Sequence, residues 1–299
     1  MIRSAAKTLD ADVTEALFAL GKLSSDQAGK LCPSIFNFNT LLRDAMTNGD
    51  EVNVAILLER APRVFMCAMP APSLSVINFG SKPWHDYVYQ KQKDTYRYQS
   101  ESPMELKPCD GNEFLHSERF FVESLGLMRL GSTLFYEHVR DIVSYVTITE
   151  GHGCWGLSSI DMFGDIFITK LQDQRNPHVH YFDHVTHEAA HYYLHALMQF
   201  DPLIENPPTE EYSSPVREDK RPMLGVYHAA FVLSNVCQNL QAILDSGVEL
   251  HDKKSFQQCF DVSLAKFNQA LSTVEASAKH TLLGKSVTES MRDVSRGLS

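Results

Sequence analysis

The stretch NPHVHYFDHVTHEAAHYYLHAL, residues 176–197, carries six of the chain's 13 histidines, all between His178 and His195. Within it stands HEAAH, with His187, Glu188 and His191. Side chains four apart on an α-helix leave one face a turn apart, so two imidazoles so spaced can share one ion. His184 and His195 extend the same stripe, while Val185, Ala189, Ala190, Tyr193 and Leu197 make the other faces apolar. A helix apolar over most of its surface is normally buried. The histidine stripe is therefore expected to line an internal cavity, where a metal would satisfy the buried nitrogens. A polar stripe hydrogen-bonded within a core is the plainer alternative.

Working outward, the run Asp165-Ile166-Phe167-Ile168-Thr169 reads as a strand, preceded by a turn rich in glycine (Gly151, Gly153, Gly156). The spacing of apolar residues predicts helices near 183–199, 222–245 and 254–280, with Pro222 suited to a first turn where its missing N–H costs nothing. Upstream, Phe120, Phe121, Leu125, Leu127, Met128, Leu134, Val139 and Ile142 predict one long helix from about 117 to 146. Tyr87, Tyr89, Tyr96 and Tyr98 alternate around Lys91 and Lys93, which predicts an exposed hairpin and loop over 84–112. Residues 63–79 read as strand and loop, and 11–30 and 38–60 as helical. No internal repeat or low-complexity tract is visible. The expected fold is mainly α (α+β), a helix-rich single unit with a small sheet and a metal site between two core helices. Residues 1–110 are a candidate subdomain, and 116–299 the core that bears the motif.

Composition narrows the function classes. The 299 residues are 43% hydrophobic and 21% charged, an ordinary globular balance. Twenty-seven lysines and arginines against 37 acids give 27 − 37 = −10. That balance argues against nucleic acid and against an anionic membrane surface, both of which need clustered positive charge. Asp10, Asp12 and Glu15 interrupt the apolar run that a signal peptide needs, and no stretch reaches the roughly 18 apolar residues of a membrane span. Cys32, Cys67, Cys109, Cys154, Cys237 and Cys259 form no CxxC pair. Reduced thiols in a cytoplasmic protein are the expectation, and a homodimer is left open.

Two histidines do not complete a metal site. The peptidase pattern HExxHxxGxxH fails, because Leu194 and Leu197 occupy the glycine and third-histidine positions. Glu205, Glu210, Glu211 and Glu218 follow, but in a proline-rich stretch that does not look helical. His228, on the apolar helix that begins at Pro222, is the better third ligand, against the alternative of a core histidine with a local hydrogen bond.

Between the two helices lies SPVREDKRPMLGVYHAAFV, residues 214–232. Together with HEAAH it resembles the HExxH-motif peptide β-hydroxylases of ribosomally synthesised peptide natural-product biosynthesis, whose second block reads S-P-x-R-x-D-x-R-P-x-x-G-x-x-H-A. The matching positions are Ser214, Pro215, Arg217, Asp219, Arg221, Pro222, Gly225, His228 and Ala229. The strand-like SSIDMFGDIF is similar too, and the resemblance covers roughly residues 155–245. It implies a non-haem iron dioxygenase dependent on α-ketoglutarate (2-oxoglutarate), unrelated in fold to the cupin oxygenases. The substrate would be a ribosomally made precursor peptide, hydroxylated at a side-chain β-carbon.

The resemblance implies that Fe(II) is bound by His187, His191 and His228, leaving positions for a bidentate ketoacid and O2. Either Arg217 or Arg221 would pair with the distal carboxylate of the ketoacid, since a guanidinium offers a permanent bidentate charge. Tyr212 or Ser214 would add a hydroxyl contact. Surface pairing with Glu218 and Asp219 is the alternative for one of the two arginines. Glu188 divides two chemistries. In a zinc metallopeptidase it is the general base; in an oxygenase it orients a ligand or meets substrate. A peptide-binding protein without catalysis is the third reading. Asp161 and Asp165 are further ligand candidates, with strand-edge solvation as the simpler account. Trp155 either walls the active site or sits in the core. The 87–98 stretch is a second candidate for peptide contact, by strand addition.

Overall fold

Runs of β-branched and aromatic residues too short for a helix build a small sheet, and long apolar stretches with a period near 3.6 build the rest. The computed structural model describes residues 33–66, 74–97, 104–171, 176–216 and 219–298. The order is α1 (Pro33–Thr47), α2 (Glu51–Met66), β1 (Ser75–Asn78), α3 (Trp84–Arg97), β2 (Glu105–Lys107), α4 (Gly111–Gly131) and α5 (Thr133–Ile142). Then follow β3 (Tyr145–His152), β4 (Gly156–Leu157), a 3-10 turn (Ile160–Met162), β5 (Asp165–Thr169) and α6 (Pro177–Met198). The chain continues through β6 (Glu211–Tyr212), β7 (Arg221–Pro222), α7 (Met223–Asp245), α8 (Lys253–Ser277) and α9 (Leu282–Leu298). The fold is mainly α with a small sheet, far from the all-β architecture of a cupin.

The chain divides into two compact units, and the division does not fall at residue 110. Among the described residues, one unit holds those up to Glu118 together with Arg140–Lys170, and the other holds Arg119–Val139 and those from Leu171 onward. In the first, β1, β3 and β5 pair in parallel, with Val76 opposite Val146 and Val146 opposite Ile166. β4 runs antiparallel to β5, and β2 antiparallel to the far end of β3. Every residue of β5 is buried, as a central parallel strand requires. Phe79, Trp84, Val88, Met104, Leu106, Tyr145 and Phe167 pack as its core.

A carboxyl group lies inside that core. Asp165 is fully buried and accepts from Trp84 Nε1 at 2.8 Å and from Thr147 Oγ1 at 2.8 Å, with His85 Nε2 at 3.2 Å. Gly80 N donates to His85 Nδ1 at 2.9 Å, which leaves the His85 proton on Nε2, facing the carboxylate. Asp161, also buried, accepts from Thr40 Oγ1 at 2.9 Å and pairs with Lys91 Nζ at 2.9 Å. Both aspartates therefore carry hydrogen-bond networks within this unit. Neither is a solvated strand edge.

Several boundaries differ from expectation for local reasons. Residues 84–97 form a helix rather than a hairpin: Trp84, His85 and Val88 point inward at helical spacing. Lys91 lies over Tyr87 and Lys93 over Tyr89, both i,i+4 pairs, so the tyrosine alternation is shared by two periods. The long helix breaks at Ser132 into α4 and α5, and Tyr145 and Val146 belong to β3. The 38–60 region is two helices joined by a turn at Gly49, whose φ of 67° favours glycine. Residues 63–66 are helical, and among the described residues of 63–79 the strand is Ser75–Asn78. The expected strand Asp165–Thr169 and the three later helices are present, followed by α9. The 11–30 helix lies outside the described residues.

Candidate metal centre

The second unit is built around α6 and α7. On α6, Val179, Tyr181, Phe182, Val185, Ala189, Ala190, Tyr192 and Leu194 are buried, leaving the histidine stripe half-buried. α7 buries Met223, Val226, Tyr227, Ala230, Val232, Leu233 and Val236. Asn239 fixes the antiparallel pair in register. It donates through Nδ2 to Thr186 Oγ1 on α6 and accepts from Ser132 Oγ at the α4–α5 break. Asn239 lies three turns from His228, and Thr186 immediately precedes His187. The same bond that aligns the helices therefore sets His228 against the α6 stripe. Tyr193 Oη donates to the His138 carbonyl at 2.6 Å and ties α6 to α5.

The predicted ligands come together as a row of rings. His187 and His191 have ring centroids 5.1 Å apart, and His191 and His228 5.8 Å. His195 lies 5.2 Å from His228 and closes the row at its other end. Burial holds the rings neutral: it pushes the His187 imidazole down to about 4 and that of His228 to about 3. His191 lies well below its ordinary value for the same reason, with neighbouring His187 and His228 adding to the effect. His195 is lowered by burial as well.

These residues fit a divalent ion in donor chemistry, since neutral imidazoles present lone pairs without first losing a proton. Imidazoles sharing one ion, with metal–N near 2.1 Å, have centroids about 4.5–5.3 Å apart. The 187/191 and 195/228 pairs lie in that range, and the 191/228 pair is slightly wider. Among the described residues, no group of three or more His, Cys, Asp or Glu side chains is placed so that it could hold a metal ion. The arrangement is a row of donors along two packed helices.

The remaining candidates fall into different places. Glu188 is buried, one position from His187. Arg221 and Tyr212 are cross-strand partners in the two-residue β6–β7 ladder, at the entry to α7. Arg221 is half-buried, with Nε 3.9 Å from Asp219 Oδ2. Its side chain lies across the first turn of α7, where a Cβ on Gly225 would sit 3.5 Å from both Arg221 Cβ and Cδ. The Tyr212 hydroxyl donates to Glu210 Oε2 at 2.6 Å and accepts from Asn206 Nδ2 at 3.0 Å, which commits it to a local network. Ser214 Oγ accepts from Val216 N at 3.5 Å. Arg217 lies outside the described residues.

Other histidines of the stretch make further ring and hydrogen-bond contacts. His178 Nε2 meets Glu123 Oε2 at 2.9 Å, and its ring packs edge-on against Phe120. His180 and His184 meet edge-on with centroids 4.5 Å apart, and burial lowers His184 to about 4. Trp155 belongs to the first unit and is exposed, so it is no core tryptophan. Cys109, Cys154, Cys237 and Cys259 are free thiols. Burial pushes Cys109 up to about 11 and Cys237 to about 12, which leaves both unreactive at neutral pH.

Comparison of the whole chain with protein-family models finds no match, and no curated protein matches it. No helix among the described residues is long and apolar enough to cross a membrane. Sequence reasoning passed over Asn239 and Asp183. Only Asp183 left a legible signal, since it stands four residues before His187.

Proposed function

We propose that the protein is a cytoplasmic Fe(II)- and α-ketoglutarate-dependent dioxygenase that hydroxylates a side-chain β-carbon in a ribosomally made precursor peptide. The observation that carries this reading is the row His187–His191–His228, held neutral by burial on two helices locked in register, with Arg221 at the entry to the helix of His228. His187, His191 and His228 would hold the iron. The bound iron and ketoacid supply oxidative decarboxylation coupled to hydroxylation, with O2 as oxidant.

The chain's own residues bind, orient and exclude water. Arg221 stands two turns before His228, and its planar guanidinium suits the distal carboxylate of a ketoacid. Gly225 leaves the space in which the Arg221 side chain lies. The apolar faces of α6 and α7 keep bulk water from the rings. Glu188, buried beside His187, would orient a ligand ring and needs no hydrolytic role.

The test is anaerobic and needs no peptide. Fe(II) and α-ketoglutarate are added to the metal-free protein and the visible spectrum is recorded. A charge-transfer band of chelated ketoacid is expected, and its loss in Arg221→Ala. Iron binding without a band would sink the ketoacid reading. Peptide cleavage with zinc alone, abolished in Glu188→Gln, would then identify a metallopeptidase. A metal whose removal changes stability and no reaction would identify a binding protein.

A further inference from the structure

A carboxylate on α6 stands beside the histidine row and takes no part in it as described above. Asp183 is one helical turn before His187. Helical side chains lean toward the N-terminus and cover the preceding turn, so the imidazole of His187 is directed back over Asp183. The Asp183 carboxyl is half-buried and has no hydrogen bond or ion pair among the described residues. The groups that face it are His187 and His180 from its own helix and Lys266 from α8, with the thiols of Cys237 on α7 and Cys259 on α8. An acceptor without a donor thus sits beneath a neutral ring that has one N–H to give. Leaving such a carboxylate unpaired is costly, so its retention calls for a partner that becomes available in a working state.

We infer that Asp183 is the positioning residue of the metal centre: it accepts the His187 N–H on the side of the ring away from the ion. That bond would fix the tautomer and orientation of His187 and make its other nitrogen a stronger donor. The inference rests on the reading of His187 as a ligand. The competing account is a purely structural one, in which Asp183 serves as a counter-charge to Lys266.

The experiment measures anaerobic Fe(II) binding by calorimetry, with the metal alone, on the full-length protein and three variants. Thermal unfolding of each metal-free form is recorded alongside. Asp183→Asn keeps the shape and removes the charge. It is expected to weaken iron binding about 10–100-fold, while the metal-free melting temperature stays level or rises. Lys266→Met is expected to bind iron within about twofold of wild type. His187→Gln is expected to lose iron at least as severely as Asp183→Asn. Unchanged iron affinity in Asp183→Asn, with a loss in His187→Gln, would overturn the role of Asp183 and leave the ligand set standing. So would a loss in Lys266→Met equal to that in Asp183→Asn, or a loss in Asp183→Asn that tracks a falling melting temperature. Unchanged affinity in both Asp183→Asn and His187→Gln would overturn the metal reading itself.

Discussion

Arg221 shows how much one side chain depends on its neighbour's lack of one. Its stem rests where a Gly225 Cβ would be in ordinary contact at 3.5 Å, so alanine fits and a branched residue does not. On the proposed reading, Gly225→Ala should keep ketoacid binding within a few-fold, whereas Gly225→Val should approach the loss expected of Arg221→Ala. Titration of the charge-transfer band with α-ketoglutarate measures both. Equal behaviour of the two Gly225 variants would remove the steric argument. Asp165 is a second residue whose environment sets its role. Replacing it by alanine strips the acceptor from Trp84, His85 and Thr147, each buried. An unsatisfied buried donor costs about 1–3 kcal/mol, so Asp165→Ala should lose at least about 3 kcal/mol in denaturant unfolding. A loss under about 1 kcal/mol would show that the network is dispensable.

Between elements, register matters more than attraction. Asn239 joins Thr186 on α6 and Ser132 at the α4–α5 break, and nothing apolar could fix both at once. Asn239→Leu should keep helix content by circular dichroism while weakening iron binding, because the helices lose the bond that places His228 against His191 and His195. An unchanged iron affinity would count against the register argument. The last helix is held by close approach. A Cβ on Gly284 would stand 1.7 Å from the Leu203 carbonyl oxygen, and Tyr227 Oη donates to the Gly284 carbonyl at 3.1 Å. Gly284→Ala should therefore destabilise by about 1–3 kcal/mol, the usual cost of overpacking, with α9 exchanging its amide protons faster. An unshifted melting temperature would show that the contact yields.

At the scale of the whole molecule, the buried imidazoles make stability depend on pH. Burial lowers His184 and His187 to about 4 and His228 to about 3, while the unfolded chain protonates near 6.5. Between those values the unfolded state binds more protons, so stability is full above about pH 6.5 and falls as pH drops toward 4. Each such group contributes a slope of up to about 1.4 kcal/mol per pH unit in that window. Asp183, raised by burial, acts in the opposite sense, but one carboxyl stands against several imidazoles. The metal-free melting temperature should fall steeply from pH 6.5 to 4.5, and less steeply in His187→Gln. A flat profile would mean that the rings are hydrated in solution.

The sequence by itself determined the elements whose signal is local. The apolar run Asp165–Thr169 is long enough for a strand and too short for a helix, and it is one. HEAAH lies on an apolar helix because periodicity and composition there agree, and α7 and α8 follow the same rule. Where two periods share a stretch, local reading failed: Tyr87 and Tyr89 satisfy a spacing of two, but Trp84, His85 and Val88 enter a core that only the fold supplies. The division of the chain was equally beyond local reading. Residues 140–170 return to the first unit through parallel pairing of β1, β3 and β5, contacts made between distant positions with no adjacent signature. The same holds at the candidate site. The spacing of His187 and His191 is a property of one helix. The approach of His228, the alignment by Asn239 and the burial that keeps the rings neutral arise only when α6 and α7 pack, because register and desolvation belong to pairs of elements and not to a run of residues.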